Sequence, residues 1–143
     1  MDISTRAMFG FIAGALSVLV FHQGVWWLFH LGGLMPPPYP MNPVPPWSVP
    51  LTIDFCFWGG LYGLVYALVV PRLAMPLWLS GLILGLIATL VLWFIVAPIK
   101  GRPIASGWNP RVMLVILVIH VAWGIGVGLI LPLLKPRSAA QRA

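Results

Sequence analysis

The chain has 143 residues, of which 61% are hydrophobic and 7% are charged, and its formal net charge is +6. About a quarter of the residues in a soluble domain are charged. This chain therefore lacks the polar surface of a cytosolic enzyme, a nucleic-acid-binding domain or a secreted disulfide scaffold. Eight basic residues against two acids are too few and too scattered to follow a phosphate backbone. The composition predicts an integral membrane protein with no nucleic-acid partner.

Four stretches are long and apolar enough to cross a bilayer, whose hydrocarbon core of roughly 30 Å takes about 20 residues. The predicted spans cover residues 7–31, 51–70, 76–97 and 112–134. Within them, Asp54 is the one acidic or basic residue. The predicted fold is an all-α bundle of four transmembrane helices that forms a single domain over residues 1–143, surrounded by membrane lipids.

The positions of Lys and Arg predict the orientation, because basic residues are enriched in cytoplasmic loops. Five of them lie on the side that holds both termini and the turn between the second and third spans, and three lie on the other side. The five are Arg6, Arg72, Lys135, Arg137 and Arg142, and the three are Lys100, Arg102 and Arg111. We therefore expect both termini in the cytoplasm.

The two halves of the chain share landmarks that indicate a duplicated helical hairpin. Trp58-Gly59, Gly63-Leu64 and Pro71-Arg72 recur 65 residues later as Trp123-Gly124, Gly128-Leu129 and Pro136-Arg137. We expect two hairpins of the same orientation, a parallel repeat. The alternative is that glycine-rich apolar helices align by composition alone.

Each span contains one Gly-x-x-x-Gly pair, which lets a neighbouring helix backbone approach closely. The eight residues are Gly10, Gly14, Gly59, Gly63, Gly81, Gly85, Gly124 and Gly128. All four pairs lie toward the predicted cytoplasmic side. We expect the helices to pack most closely there, which leaves room for a cavity in the periplasmic half.

The first span carries His22, Gln23, Trp26 and His30, and the fourth carries His120 at a depth comparable to that of His22. Polar groups inside a bilayer are costly and usually face a partner or a cavity. Two histidines on different helices are what a bis-histidine haem requires, so these five residues are a candidate haem or pigment site. The alternative is that both histidines are satisfied by backbone carbonyls or by Gln23.

Other chemistries are less favoured by the sequence. A metal site made of His22, His120 and Asp54 lacks a close ligand spacing, so no metal is predicted. Ser17, Thr52, Thr89 and Cys56 have no local nucleophile signature, and Asp54 is the one acid available for a triad. We therefore expect no catalytic residue and no enzymatic activity.

Lys100 and Arg102 follow the third span, with Trp108 nearby, and Asp54 opens the second span on the same side of the membrane. These four residues are a candidate site for an anion or a lipid head group, because the cations can hold a phosphate beside an amphipathic ring. The alternative is that the basic residues are interfacial anchors, or that they pair with Asp54.

Five motifs resemble a family of small bacterial membrane proteins with four spans. They are Phe21-His22-Gln23, the Pro-Pro-Trp-Ser-Val-Pro of residues 45–50, the Phe-Trp-Gly-Gly-Leu-Tyr-Gly of residues 57–63, the Pro-Ile-Lys-Gly-Arg-Pro of residues 98–103, and Trp123-Gly124. The resemblance implies a bacterial inner membrane and one four-helix domain. It implies no activity and no catalytic residue.

The sequence leaves three functions open. The leading prediction is a non-catalytic accessory or scaffold subunit that packs in a larger membrane complex, such as a respiratory or photosynthetic assembly, or that self-associates. The first alternative is a protein that binds haem or a pigment through His22 and His120. The second is a small transporter or lipid-head-group-binding protein with a periplasm-facing cavity.

Overall fold

The computed structural model describes residues 2–134 and contains four long apolar helices. They are α1 (Ile3–Leu31), α2 (Leu51–Arg72), α3 (Leu77–Ile99) and α4 (Pro110–Leu134), and each is long and apolar enough to cross a membrane. The four predicted helices are therefore confirmed. Three of the basic residues used to predict the orientation, Lys135, Arg137 and Arg142, lie outside the described residues, as does the Pro136-Arg137 landmark.

The helix bounds differ from the prediction by at most four residues: α2 and α3 end two residues later, and α1 and α4 start earlier because of side-chain caps. The α1 helix begins at Ile3 because the Asp2 carboxylate accepts a hydrogen bond from the Thr5 amide at 2.6 Å. The α4 helix begins at Pro110 because the Asn109 side chain accepts from the amides of Arg111 and Val112. Both caps extend the helix beyond the apolar segment that defines a span.

The helices pack as two hairpins. The α1 helix packs along α2, α3 packs along α4, and the two hairpins meet through α1 and α4. Contacts between α2 and α3 are sparse. At the turn that joins these two helices, the Tyr66 hydroxyl donates to the Leu77 carbonyl at 2.8 Å and lies 2.9 Å from the Ser80 hydroxyl. The α2 and α3 helices are thus hydrogen-bonded to each other at this end and separated by a cavity at the other.

All eight glycines of the Gly-x-x-x-Gly pairs lie against a neighbouring helix in the structure. A Cβ atom on Gly14 would lie 2.8 Å from the carbonyl carbon of Gly59, and one on Gly85 would lie 2.7 Å from the Cα of Val121. Contacts this short do not occur for real Cβ atoms, so both helix pairs depend on the missing side chains. Seven of the eight glycines lie in the half of their helix nearest the α2–α3 turn, and Gly59 lies just beyond the middle of α2.

The two hairpins cross in different registers. In the first, Gly10 faces Gly63 and Gly14 faces Gly59. In the second, Gly81 faces Gly124 while Gly128 faces Leu77. The second crossing is therefore displaced by one helical turn from the alignment that the sequence landmarks suggest. The duplication itself stays a prediction.

Besides the contacts within each hairpin, a glycine contact between α1 and α4 joins the two hairpins. It was not foreseen from the sequence. A Cβ on Gly126 would collide with the side chains of Ser17 and Phe21. Beside it, the Ser17 hydroxyl donates to the Trp123 carbonyl at 2.6 Å, and the Trp123 indole donates to the Gly14 carbonyl at 3.1 Å. These buried hydrogen bonds fix α1 against α4 near the centre of the bundle.

The loop between α1 and α2 is rich in proline and lies over the ends of both helices. It contains a short antiparallel strand pair, β1 (Pro43–Val44) and β2 (Val49–Pro50), and the peptide bond between Pro45 and Pro46 is cis. The Thr52 hydroxyl donates to the Pro40 carbonyl at 2.8 Å. The loop is therefore bonded directly to the first turn of α2.

Candidate ligand-binding cavity

A cavity of about 580 Å³ lies where α2 and α3 diverge, at the opposite end of the bundle from the α2–α3 turn. The first turns of α2 and the last turns of α3 form two of its walls. Trp26 of α1 and Ile116 of α4 contribute to its lining as well, and the proline-rich loop contributes Asn42 to Pro45. The volume falls within the usual range of small-molecule sites, roughly 300–1,000 Å³.

Three charged residues line this cavity: Asp54 from α2, and Lys100 and Arg102 from the segment that follows α3. Asp54 is half-buried, whereas the two basic side chains are exposed at the rim. Among residues 2–134, the charged groups of these three residues take part in no side-chain hydrogen bond. The structure therefore brings together three of the four residues predicted as an anion or head-group site, with their hydrogen-bonding groups still available.

The fourth predicted residue, Trp108, does not line the cavity. Its ring is 66% exposed and packs against Phe94, with ring centroids 6.3 Å apart. The reason is a left-handed turn, in which φ is 48° at Ala105, 56° at Ser106 and 59° at Trp108. This conformation costs about 1–2 kcal/mol for each residue other than glycine. The turn places Ser106 in the cavity wall and Trp108 outside it.

Trp93 of α3 also belongs to the cavity wall, and its indole N–H lacks a hydrogen-bond partner within the described part of the chain. The side chain is 9% exposed. A buried donor without a partner costs about 1–3 kcal/mol. Trp93 precedes Phe94 in a π-helical turn, Leu92–Val96, and such turns are frequent at functional sites. No feature of the sequence distinguishes this tryptophan from the other seven.

An aromatic cluster forms the inner wall of the cavity. Trp26 and Phe55 line the cavity with ring centroids 6.2 Å apart, and His22 packs behind them at 6.0 and 5.3 Å respectively. His120 stands edge to face against His22 at 5.8 Å. The structure thus brings the two predicted histidines together, but neither lines the cavity.

The hydrogen bond to His22 does not fit an axial ligand, whereas His120 donates from Nδ1 to the Ile116 carbonyl at 3.1 Å and keeps a lone pair on Nε2. Gln23 donates from Nε2 to His22 Nδ1 at 3.3 Å, while its Oε1 accepts from the Tyr39 amide. Because Nδ1 of His22 accepts, the proton of the neutral ring is on Nε2, which then has no lone pair for iron or magnesium. A macrocycle would also have to separate His22 from Phe55 and His120. We therefore derive no haem or pigment chemistry from this pair.

The other residues of the predicted cofactor site hold the proline-rich loop. The Tyr39 amide donates to Gln23 Oε1 at 2.6 Å, the Trp26 indole donates to the Pro36 carbonyl at 2.9 Å, and His30 Nδ1 donates to the Met35 carbonyl at 2.9 Å. All three side chains bond to backbone groups of the loop. The amino-acid sequence does not reveal such pairings, because they depend on the loop conformation. Of this predicted set, Trp26 alone lines the cavity.

Residues 2–134 contain no group of three or more His, Cys, Asp or Glu residues close enough to hold a metal ion. Asp54 lines the cavity, whereas His22 and His120 lie behind its aromatic wall.

The chain matches no family model, and searches of curated proteins and of solved structures find no significant match. The resemblance to small bacterial four-span proteins therefore stays a prediction.

Proposed function

We propose that this chain is a non-catalytic multi-pass protein of a bacterial inner membrane that binds a phosphate-bearing amphiphile in the cavity between α2 and α3. In this proposal both termini are cytoplasmic and the cavity opens toward the periplasm. The ligand's phosphate lies between Lys100 and Arg102, and its apolar part lies along the α3 wall.

One observation carries the proposal: two basic side chains without hydrogen-bond partners among residues 2–134 line a cavity whose other lining residues are mostly apolar or aromatic. Basic clusters at the membrane surface attract phosphate head groups. Leu92, Val96 and Ile116 supply apolar surface for the rest of the molecule. This combination favours an amphiphile over a free inorganic anion, because an inorganic anion has no apolar surface to bury against the wall.

The accessory role predicted from the sequence is compatible with this binding, because a bound amphiphile can lie at an interface with a partner. Many large apolar side chains are exposed around the bundle, for example Leu28 (64%) and Val65 (58%). Lipid or a partner subunit covers such surfaces equally well. The cavity therefore distinguishes the candidate functions better than the outer surface does.

The proposal is tested by native mass spectrometry of the full chain with added dihexanoyl phosphatidic acid in a mild detergent. We expect one bound molecule on the wild-type protein and at least a ten-fold weaker affinity in the Lys100→Ala/Arg102→Ala variant, since charge-assisted hydrogen bonds contribute about 1.5–3 kcal/mol each. Arg111→Ala is the matched control, because Arg111 is exposed at the same end but does not line the cavity.

Three outcomes are informative. Equal affinity of the wild type and the double variant would contradict the proposal. A loss in Arg111→Ala that equals the loss per charge removed in the double variant would also contradict it, since attraction would then depend on net charge alone. Inorganic phosphate that competes with the lipid at similar concentration would identify a free anion, rather than an amphiphile, as the ligand.

A further inference from the structure

The acid in the cavity wall bears on the chemical class of the ligand. Asp54 is half-buried and lines the same cavity as Lys100 and Arg102, yet its carboxylate has no side-chain hydrogen bond within residues 2–134. A ligand with negative charge alone satisfies the two cations and brings an anion close to this carboxylate. Two negative charges within one cavity repel each other, particularly where burial lowers the effective dielectric constant.

We propose that the cavity selects a zwitterionic head group, in which a phosphate diester faces Lys100 and Arg102 while a primary ammonium faces Asp54. This inference rests on the proposed function and names the substrate class of the same site. The ammonium donates to the carboxylate, which has no side-chain hydrogen-bond partner among residues 2–134.

The rings beside Asp54 suit the same cation. Phe55 follows Asp54 in the first turns of α2, and Trp26 lies across from it with the two ring planes inclined by 48°. Both rings line the cavity. A cation within about 6 Å of an aromatic face is attracted by the ring quadrupole. The carboxylate and the two rings together form a cation-binding corner, on α2 and α1, that is separate from the basic residues following α3.

The size of the cavity argues for a head group that is still attached to its lipid. About 580 Å³ exceeds the volume of a phosphate ester of ethanolamine, and most of the remaining lining is apolar, apart from Asn42, Ser106 and the indole N–H of Trp93. The sparse contact between α2 and α3 leaves a lateral opening at this end, through which acyl chains can pass into the surrounding membrane.

The test measures affinities of the full chain in detergent for two short-chain lipids that share a phosphodiester. Dihexanoyl phosphatidylethanolamine carries the primary ammonium, and dihexanoyl phosphatidylglycerol does not. We expect the wild type to bind the ethanolamine lipid about ten-fold more tightly, as one charge-assisted hydrogen bond provides. Asp54→Asn should abolish this preference while retaining or improving binding of the glycerol lipid, which also shows that the variant is folded. Asp54→Glu should restore the preference.

The outcomes separate this inference from the proposed function. A preference that survives in Asp54→Asn, or a wild type that prefers the glycerol lipid, overturns the zwitterion inference alone. If the Lys100→Ala/Arg102→Ala variant binds both the ethanolamine lipid and the glycerol lipid as tightly as the wild type, the proposed function is overturned as well. Equal binding of dihexanoyl phosphatidylcholine, whose ammonium has no N–H, contradicts the role of Asp54 as hydrogen-bond acceptor. Free phosphoethanolamine that binds as tightly as the lipid supports the zwitterion inference but overturns the amphiphile of the proposed function, because the ligand is then a soluble molecule.

Discussion

Two glycines of α1 have opposite surroundings, although both lie in the interior of an apolar helix. Gly14 lies against the backbone of α2, where a Cβ would lie 2.8 Å from the Gly59 carbonyl carbon. At Gly24, a Cβ would meet nothing within 4 Å. The first glycine is required by packing, whereas the second only adds conformational freedom to the unfolded chain.

We predict that Gly14→Ala and Gly24→Ala change stability in opposite directions. Gly14→Ala should lower the free energy of unfolding by about 1–3 kcal/mol, because the backbone of α2 has to move. Gly24→Ala should raise it by about 0.5–1 kcal/mol, since alanine is the better helix former. Thermal unfolding in detergent, followed by tryptophan fluorescence, measures both. Equal effects of the two substitutions would contradict the close α1–α2 contact.

The sequence was informative about residues whose spacing along one helix carries the signal. The four glycine pairs could be recognised because a small residue every four positions marks one helix face. Gly126 could not, since its partners Ser17 and Phe21 are distant in the chain. Likewise, the histidine pair was foreseen, whereas the hydrogen bond from Gln23 that sets the His22 tautomer depends on a loop conformation.

At the scale of elements, hydrogen bonds join the proline-rich loop to the π-helical turn of α1. The turn covers Val18–His22, and within it the Leu19 carbonyl accepts from the Tyr39 hydroxyl at 2.8 Å. The next residue, Gln23, accepts from the Tyr39 amide. One loop residue thus binds two consecutive regions of the helix. The helix irregularity and the loop conformation had no signal in the hydrophobic pattern, which defined only the four helices.

We predict that Gln23→Met loosens this loop without unfolding the bundle. Methionine keeps most of the buried volume but removes the acceptor for the Tyr39 amide, an unmade bond that costs about 1–3 kcal/mol. Hydrogen exchange in residues 32–50 should accelerate about ten-fold or more, while exchange in α3 stays unchanged. Trp47→Ala is the control, because that side chain is 84% exposed. Unchanged loop exchange in Gln23→Met would show that Gln23 does not anchor the loop.

At the scale of the whole molecule, the chain has one closely packed end and one open end. Glycine contacts and the Tyr66–Ser80 pair hold the helices together near the α2–α3 turn, while charged and aromatic side chains surround the cavity at the other end. The sequence suggested this division because the glycine pairs and the polar residues fall in opposite halves of the spans. It did not indicate that the cavity lies between α2 and α3, since helix order around a bundle depends on contacts between distant residues.

The central claim, that a phosphate-bearing amphiphile occupies the open end, is tested most directly by photo-cross-linking. A phosphatidic acid with a diazirine near its head group is added to the full chain in detergent, and the adducts are located by peptide mass spectrometry. We expect adducts in residues 51–55 and 92–106, and their loss in Lys100→Ala/Arg102→Ala but not in Arg111→Ala. Adducts that are spread evenly over the exposed helix faces, or concentrated at residues 73–81, would contradict the claim.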